Sequence, residues 1–175
     1  MTYQQFLKSV DDGHSMTTAK EHIAEICKVA SRINNGFIVE LGSHAGISAA
    51  AIAMASPTSS VVSVDLCDTV RESTRVAYWK SLGVANILPV ESSSADYLAA
   101  MRGRVDLIFH DAAHGEHVVP EYLAAASRCD VLAIHDWEQV SPRSQRTVSE
   151  RFASWWCPRD DARGRRLWIG MGSVA

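Results

Sequence analysis

Hydrophobic positions along this chain change period in a regular order. Ile23, Ile26, Val29, Ala30 and Ile33 recur at helical spacing, behind Thr18 and Glu21 at capping-box distance, and Asn34-Asn35-Gly36 ends the run. Phe37-Ile38-Val39-Glu40-Leu41 then reads as a strand that closes on glycine, and residues 45–55 as an alanine-rich helix stopped by Ser56-Pro57. The unit repeats: strand 61–65, helix 70–82 closed by Gly83, strand 86–90, short helix 95–101, strand 105–110, helix 116–127, strand 131–135. After Pro142 the pattern predicts a helix to about residue 156. A final strand follows at 166–171, with a short partner strand near 155–157. Continuous apolar runs such as Val105-Asp106-Leu107-Ile108-Phe109 belong to strands covered on both faces. The expectation is an α/β fold: a doubly wound, mostly parallel sheet with helices on both faces and an antiparallel C-terminal strand. We expect one domain over residues 1–175, with residues 1–36 as an N-terminal lid and docking helix before the core.

Composition adds limits rather than detail. The chain has 175 residues, 47% of them hydrophobic and 21% charged, with a formal charge of −3. At that length folding buries roughly 70% of the unfolded surface, enough for a core and a ligand site. The four cysteines are scattered, without a C-x-x-C pair, so neither a disulfide framework nor a zinc knuckle is signalled. The polar start lacks the basic and apolar blocks of a secretory signal, and a cytoplasmic protein is expected. Residues 41–64 carry no charge, but Gly42, Gly46 and Pro57 break the segment, so no membrane span is expected. Arginines crowd the last third, from Arg143 to Arg166, yet Glu138, Glu150, Asp160 and Asp161 are interspersed; they read as a solvated face, and nucleic acid is not the expected partner.

In such a sheet, ligands sit beyond the carboxyl ends of the strands. The first of these ends carries Glu40-Leu41-Gly42-Ser43-His44-Ala45-Gly46-Ile47-Ser48, in which His44 stands where a dinucleotide fingerprint needs its middle glycine. A pyrophosphate is disfavoured there, and Glu40 would repel one while attracting an ammonium or sulfonium. Asp65 closes the second strand at the interval where an acidic side chain accepts ribose hydroxyls.

On these residues the chain resembles the class I S-adenosylmethionine-dependent methyltransferases, over about residues 37–171. The matching pieces are Glu40, Gly42, Gly46 and Ser48, then Asp65, then the fourth-strand run ending in Asp111. The resemblance implies a Rossmann-like fold with S-adenosylmethionine as cofactor. It implies that Gly42 and Ser43 line the methionine portion, Asp65 binds ribose, Leu66 flanks adenine, and Ser93 or Ser94 touches the adenine edge.

Two further strand ends carry His110-Asp111-Ala112-Ala113-His114 and His135-Asp136-Trp137. On neighbouring strands, Asp111 and Asp136 would chelate one magnesium or manganese ion that orients a substrate hydroxyl. The region resembles the small-molecule O-methyltransferase branch, with Asp-x-x-His after the fourth strand and His-Asp after the fifth. Two departures stand out. Ala113 replaces the second acidic residue of that motif, and Trp137 stands where catechol-type relatives have asparagine. His114 is the expected general base, Asp111 and His135 its catalytic partners, and His110 a structural residue on the opposite face. Residues 11–16 resemble the lid-like segment of such enzymes. Trp137, Trp155 and Trp156 read as core before they read as an acceptor pocket.

The expected activity is methyl transfer to a hydroxyl of a small molecule. A non-catalytic nucleoside-binding module and a nicotinamide oxidoreductase stay as alternatives. The short stretch before the first strand makes a thin lid, which a second subunit of a homodimer would complete.

Overall fold

The computed structural model describes residues 1–10, 18–67 and 69–173. Its strands are β1 (Phe37–Leu41), β2 (Ser60–Asp65), β3 (Ile87–Glu91), β4 (Val105–His110), β5 (Cys129–Ile134), β6 (Phe152–Trp156) and β7 (Trp168–Ser173). They form one sheet in the order β3-β2-β1-β4-β5-β7-β6. The first five run parallel, whereas β7 lies antiparallel between β5 and β6. Strand order reverses between β1 and β4, which opens a crevice at their carboxyl ends.

Alternation along each strand decides what packs where. Ile38, Val61, Leu107 and Phe109 face one core layer with Phe6, Ile23, Ile26 and Ile52; Val39, Val62, Ile108 and Leu132 face another with Leu98, Tyr122 and Val148. Helices α1 (Tyr3–Ser9), α2 (Lys20–Ala30), α3 (Ile47–Ala55) and α4 (Glu72–Ser81) contribute to the first layer, and α5 (Ser94–Ala100), α6 (Val119–Ala126) and α7 (Pro142–Ser149) to the second. Residues 49–53 of α3 are buried all round, which alanine permits because it lets the helix lie close to both the sheet and α2.

Three expectations need correction. Helix α1 has no counterpart in the hydrophobic-period reading; its signal is the Thr2–Gln5 capping box ahead of buried Phe6 and Leu7. The helix expected to run to residue 156 stops at Ser149, and Phe152 begins an edge strand, because pairing with β7 overrides local preference. Trp155 and Trp156 therefore sit on a strand, Trp155 exposed and Trp156 half-buried, while Trp137 stacks on Trp168 at 5.0 Å within the core. Thr18 does not cap α2, whose N-cap is Ala19 without a side-chain bond. The Thr18 hydroxyl is used elsewhere.

Gly42 shows how tightly the crevice is built. Its φ is +92°, and a Cβ there would lie 2.4 Å from the Ala112 Cα and the Asp111 carbonyl oxygen. Gly83 also has positive φ, at +72°, but opens on empty space. Gly42→Ala should therefore cost about 3 kcal/mol or more, against about 1 kcal/mol for Gly83→Ala, as read from urea denaturation. Equal losses would contradict the close approach of the β1 turn to the end of β4.

Candidate active site

Backbone hydrogen bonds continue beyond the strands and gather their ends. Gly42 N donates to Val64 O at 2.9 Å, Asp111 N to Leu41 O at 2.8 Å, Ser92 N to Asp65 O at 3.1 Å, and His135 N to His110 O at 3.1 Å. The cleft above them has a volume of about 650 Å³, within the range of small-ligand sites. Among the described residues, the non-glycine positions with left-handed backbone are Asn35, His44, Cys67 and Asp136; the last three lie just past β1, β2 and β5. Strain of this kind persists where the surroundings over-determine the chain.

At one end of the cleft stands Asp65. Its Oδ2 accepts from His44 N at 2.7 Å and its Oδ1 from Cys67 N at 3.0 Å. Each carboxylate oxygen keeps a further acceptor site. Leu66, 58% exposed, lies beside it on the cleft wall, and Ser92, Ser93 and Ser94 line the cleft from the end of β3.

At the other end lie Asp111, His114, His135 and Asp136. His135 Nδ1 donates to Asp111 Oδ1 at 2.9 Å and lies 3.2 Å from Asp136 Oδ1. Thr18 Oγ1 donates to Asp111 Oδ2 at 2.5 Å. Burial alone would raise the Asp111 carboxyl, but the His135 and Thr18 bonds and the nearby His114 hold it below the usual carboxylate range. The same pairing raises His135 against the lowering effect of its burial. His114 Nε2 lies between two carboxylates, 3.6 Å from Asp111 Oδ1 and 3.5 Å from Asp136 Oδ2. His22, a buried neighbour 5.3 Å from the His135 ring, is lowered chiefly by burial and by facing His135.

The residues of the β1 turn divide differently from the sequence expectation. Gly42 lines the cleft, but Glu40 does not reach it: its side chain is wholly buried beneath the turn, with Ser63 Oγ donating to Oε2 at 3.0 Å. Ser43 and Ser48 line a small hollow that shares Thr18, Gly42, His44 and Asp111 with the cleft. Gly46, at φ +78°, packs under the Trp79 indole, whose Nε1 donates to its carbonyl at 2.8 Å. These residues shape the turn, and the serines sit close enough to Glu40 to ease its burial. His110 is buried, as expected, and bonds to Glu121. The sequence reading missed Thr18 in this role, and also Glu121 and Arg165, which line the cleft from α6 and from the connection between β6 and β7. Nothing local marks any of the three. The lid expected over residues 11–16 lies outside the described residues.

The family described as methyltransferase domain matches residues 39–137. The chain belongs to that family. No curated protein matches this methyltransferase in sequence. Its fold is shared with the O-methyltransferase TomG from Streptomyces achromogenes, involved in tomaymycin synthesis and solved in complex with SAM; the TM-score is 0.70 at 15% identity, covering 98% of this chain and 88% of that one. It is shared as well with an rRNA methylase from Streptococcus thermophilus (TM-score 0.61, 14% identity, 90% and 100% covered). A third similar structure is a precorrin-6y C5,15-methyltransferase from Geobacter metallireducens (0.65, 12%, 95% and 95%). At these identities the likeness is one of fold.

S-adenosylmethionine fits the residues present: a carboxylate placed for ribose, an exposed leucine beside it, and a turn where glycine lets a ligand approach the backbone. A divalent cation does not fit. Among the described residues no three His, Cys, Asp or Glu side chains group to hold a metal. Asp111 commits one oxygen to His135 and the other to Thr18, and the His114 ring stands between Asp111 and Asp136. As placed, Asp111 and Asp136 do not form the chelate expected of them.

Burial pushes the Glu40 carboxyl up from 4.5 to about 7, against the nearby hydroxyls of Ser48, Ser63 and Ser43, of which Ser63 donates a hydrogen bond. The folded state holds this proton more tightly than the unfolded state. Its contribution to stability is thus complete below about pH 4.5 and lost as pH rises through about 7, a change of about 3 kcal/mol. Urea denaturation at a series of pH values should show that Glu40→Gln escapes this loss and gains on the wild type toward pH 8. Parallel pH profiles for the two proteins would refute it.

Proposed function

We propose that this methyltransferase transfers the methyl group of S-adenosylmethionine to a hydroxyl of a small molecule, with His114 as general base and no resident divalent cation. The observation that carries the reading is His114 on the cleft wall, its Nε2 flanked by Asp111 and Asp136 at the end away from Asp65. S-adenosylmethionine supplies an electrophilic methyl group on a sulfonium centre. Asp65 would accept the ribose hydroxyls, and Gly42 would let the methionine portion lie against the backbone. His114 would take the hydroxyl proton, and the charge that develops on its ring faces two carboxylates. His135 is a positioning residue: its bond to Asp111 fixes the carboxylate that His114 faces.

The charge of the cleft supports a small acceptor over RNA. Among the described residues, Asp65, Asp111, Asp136 and Glu121 line it against the guanidinium of Arg165, a balance that welcomes a sulfonium and repels a phosphodiester.

Calorimetry should show saturable binding of S-adenosylhomocysteine; no heat at high protein concentration would end the reading. His114→Ala should leave that binding within about threefold of wild type. Release of S-adenosylhomocysteine, assayed over a panel of phenols, hydroxy acids and sugars, should fall about 10²- to 10⁴-fold. Asp65→Ala should instead weaken cofactor binding about tenfold or more. Turnover should survive EDTA, and loss of activity restored by magnesium would overturn the metal-free mechanism.

A further inference from the structure

Helix α4 carries Arg75 and Trp79 four residues apart, so the two share one face. Trp79 holds the turn after β1, its Nε1 donating to Gly46 O at 2.8 Å. Arg75 holds the loop after β2: its Nη2 donates to Cys67 Sγ at 2.9 Å, and its Cζ lies 6.0 Å from the centre of the Trp79 ring. These same two loops supply the amides of His44 and Cys67 that fix the Asp65 carboxylate.

The fold gains little from this guanidinium. Arg75 is wholly buried, and its Nε and Nη1 bond to none of the described residues. The acceptor it does meet is a sulfur, which is a weak one. That sulfur keeps its proton at neutral pH: burial pushes the Cys67 thiol up, Arg75 works against the rise, and Glu91, Asp65 and Glu72 add to it. A buried charge facing a neutral thiol lowers stability, and an apolar side chain of like length would be favoured in its place. Stability does not account for arginine here.

What the guanidinium does hold is Cys67. That residue is left-handed at φ +59° without being glycine, a conformation that persists only under an outside constraint. Its N–H donates to Asp65 Oδ1 at 3.0 Å, its thiol faces the Asp65 carbonyl at 3.7 Å, and the same sulfur accepts from Arg75. Released from Arg75, Cys67 relaxes, its amide turns away, and Asp65 keeps the His44 bond alone. We propose that Arg75 is a positioning residue for cofactor binding, acting through Cys67 to aim the Asp65 carboxylate at the ribose hydroxyls. This rests on the methyltransferase reading above. Losing one of the two bonds that fix the carboxylate corresponds to about tenfold in affinity.

Arg75→Met keeps the length of the side chain and removes its charge. Titrated with S-adenosylhomocysteine as the full chain, it should bind about tenfold more weakly than the wild type, yet melt at the same temperature or higher. A residue that only supported the fold would lower both. Cys67→Ala should weaken binding to a similar degree, and the double variant should fall no more than about threefold below either single one, since both remove the same hold. Cys67→Ser keeps an acceptor for the guanidinium and should stay within about threefold of the wild type. Unchanged affinity in Arg75→Met, a loss of affinity together with a lower melting temperature, or additive losses in the double variant each overturn the assignment. The methyltransferase reading then still stands on binding by the wild type and its weakening in Asp65→Ala. If the wild type does not bind S-adenosylhomocysteine, the cofactor reading fails and this one with it.

Discussion

The site depends on one close contact of backbone with backbone. The turn after β1 presses against the end of β4 so nearly that a single methyl group at Gly42 would overlap Ala112 and the Asp111 carbonyl. Two hydrogen bonds hold the approach, Gly42 N to Val64 O and Asp111 N to Leu41 O, and they extend the parallel ladders one residue past the strands on both sides of β1. That contact sets the distance between Asp65, beyond β2, and Asp111, beyond β4, and so sets the width of the cleft. Glycine is needed here for room and for φ at once.

Glu40 and Asp111 show how environment separates two carboxyls that the same strand ends provide. Burial opposes ionisation of both. Glu40 meets hydroxyls, which offset part of that cost, and the Asp111 charge adds to it, so its carboxyl is pushed up to about 7. Asp111 meets the imidazole of His135 and the hydroxyl of Thr18, and it is held down. The first is a scaffold group under the turn that holds its proton into the neutral range, and the second a fixed charge in the cleft. The cause is the identity of the partners.

Backbone strain follows the same geography. His44, Cys67 and Asp136 take left-handed conformations without being glycine, each at the carboxyl end of a strand. At His44 and Cys67 the reward is visible, since both amides turn onto the Asp65 carboxylate. At Asp136 the conformation sets the carboxylate beside the His114 and His135 rings. Rigid strands underneath make such positions tolerable, and they are where a cofactor and an acceptor would meet.

Much of this was legible in the order of residues. Apolar runs with their punctuation specified the alternating elements, and chain order alone put Asp65, Asp111 and Asp136 after the second, fourth and fifth strands, because a parallel sheet sends every second loop to the same edge. Other features became visible only in three dimensions. Thr18 reads locally as a helix cap yet bonds to Asp111, Glu40 reads as a ligand group yet lies beneath the turn, and the strand that pairs with β7 begins at Phe152, inside the expected helix and ahead of the partner strand expected near 155–157. The division has a physical reason. Period and turn chemistry act over a few neighbours and survive in the sequence, whereas a hydroxyl's partner, a carboxylate's burial and a strand's edge pairing depend on groups brought together from far along the chain, where no local signal records them.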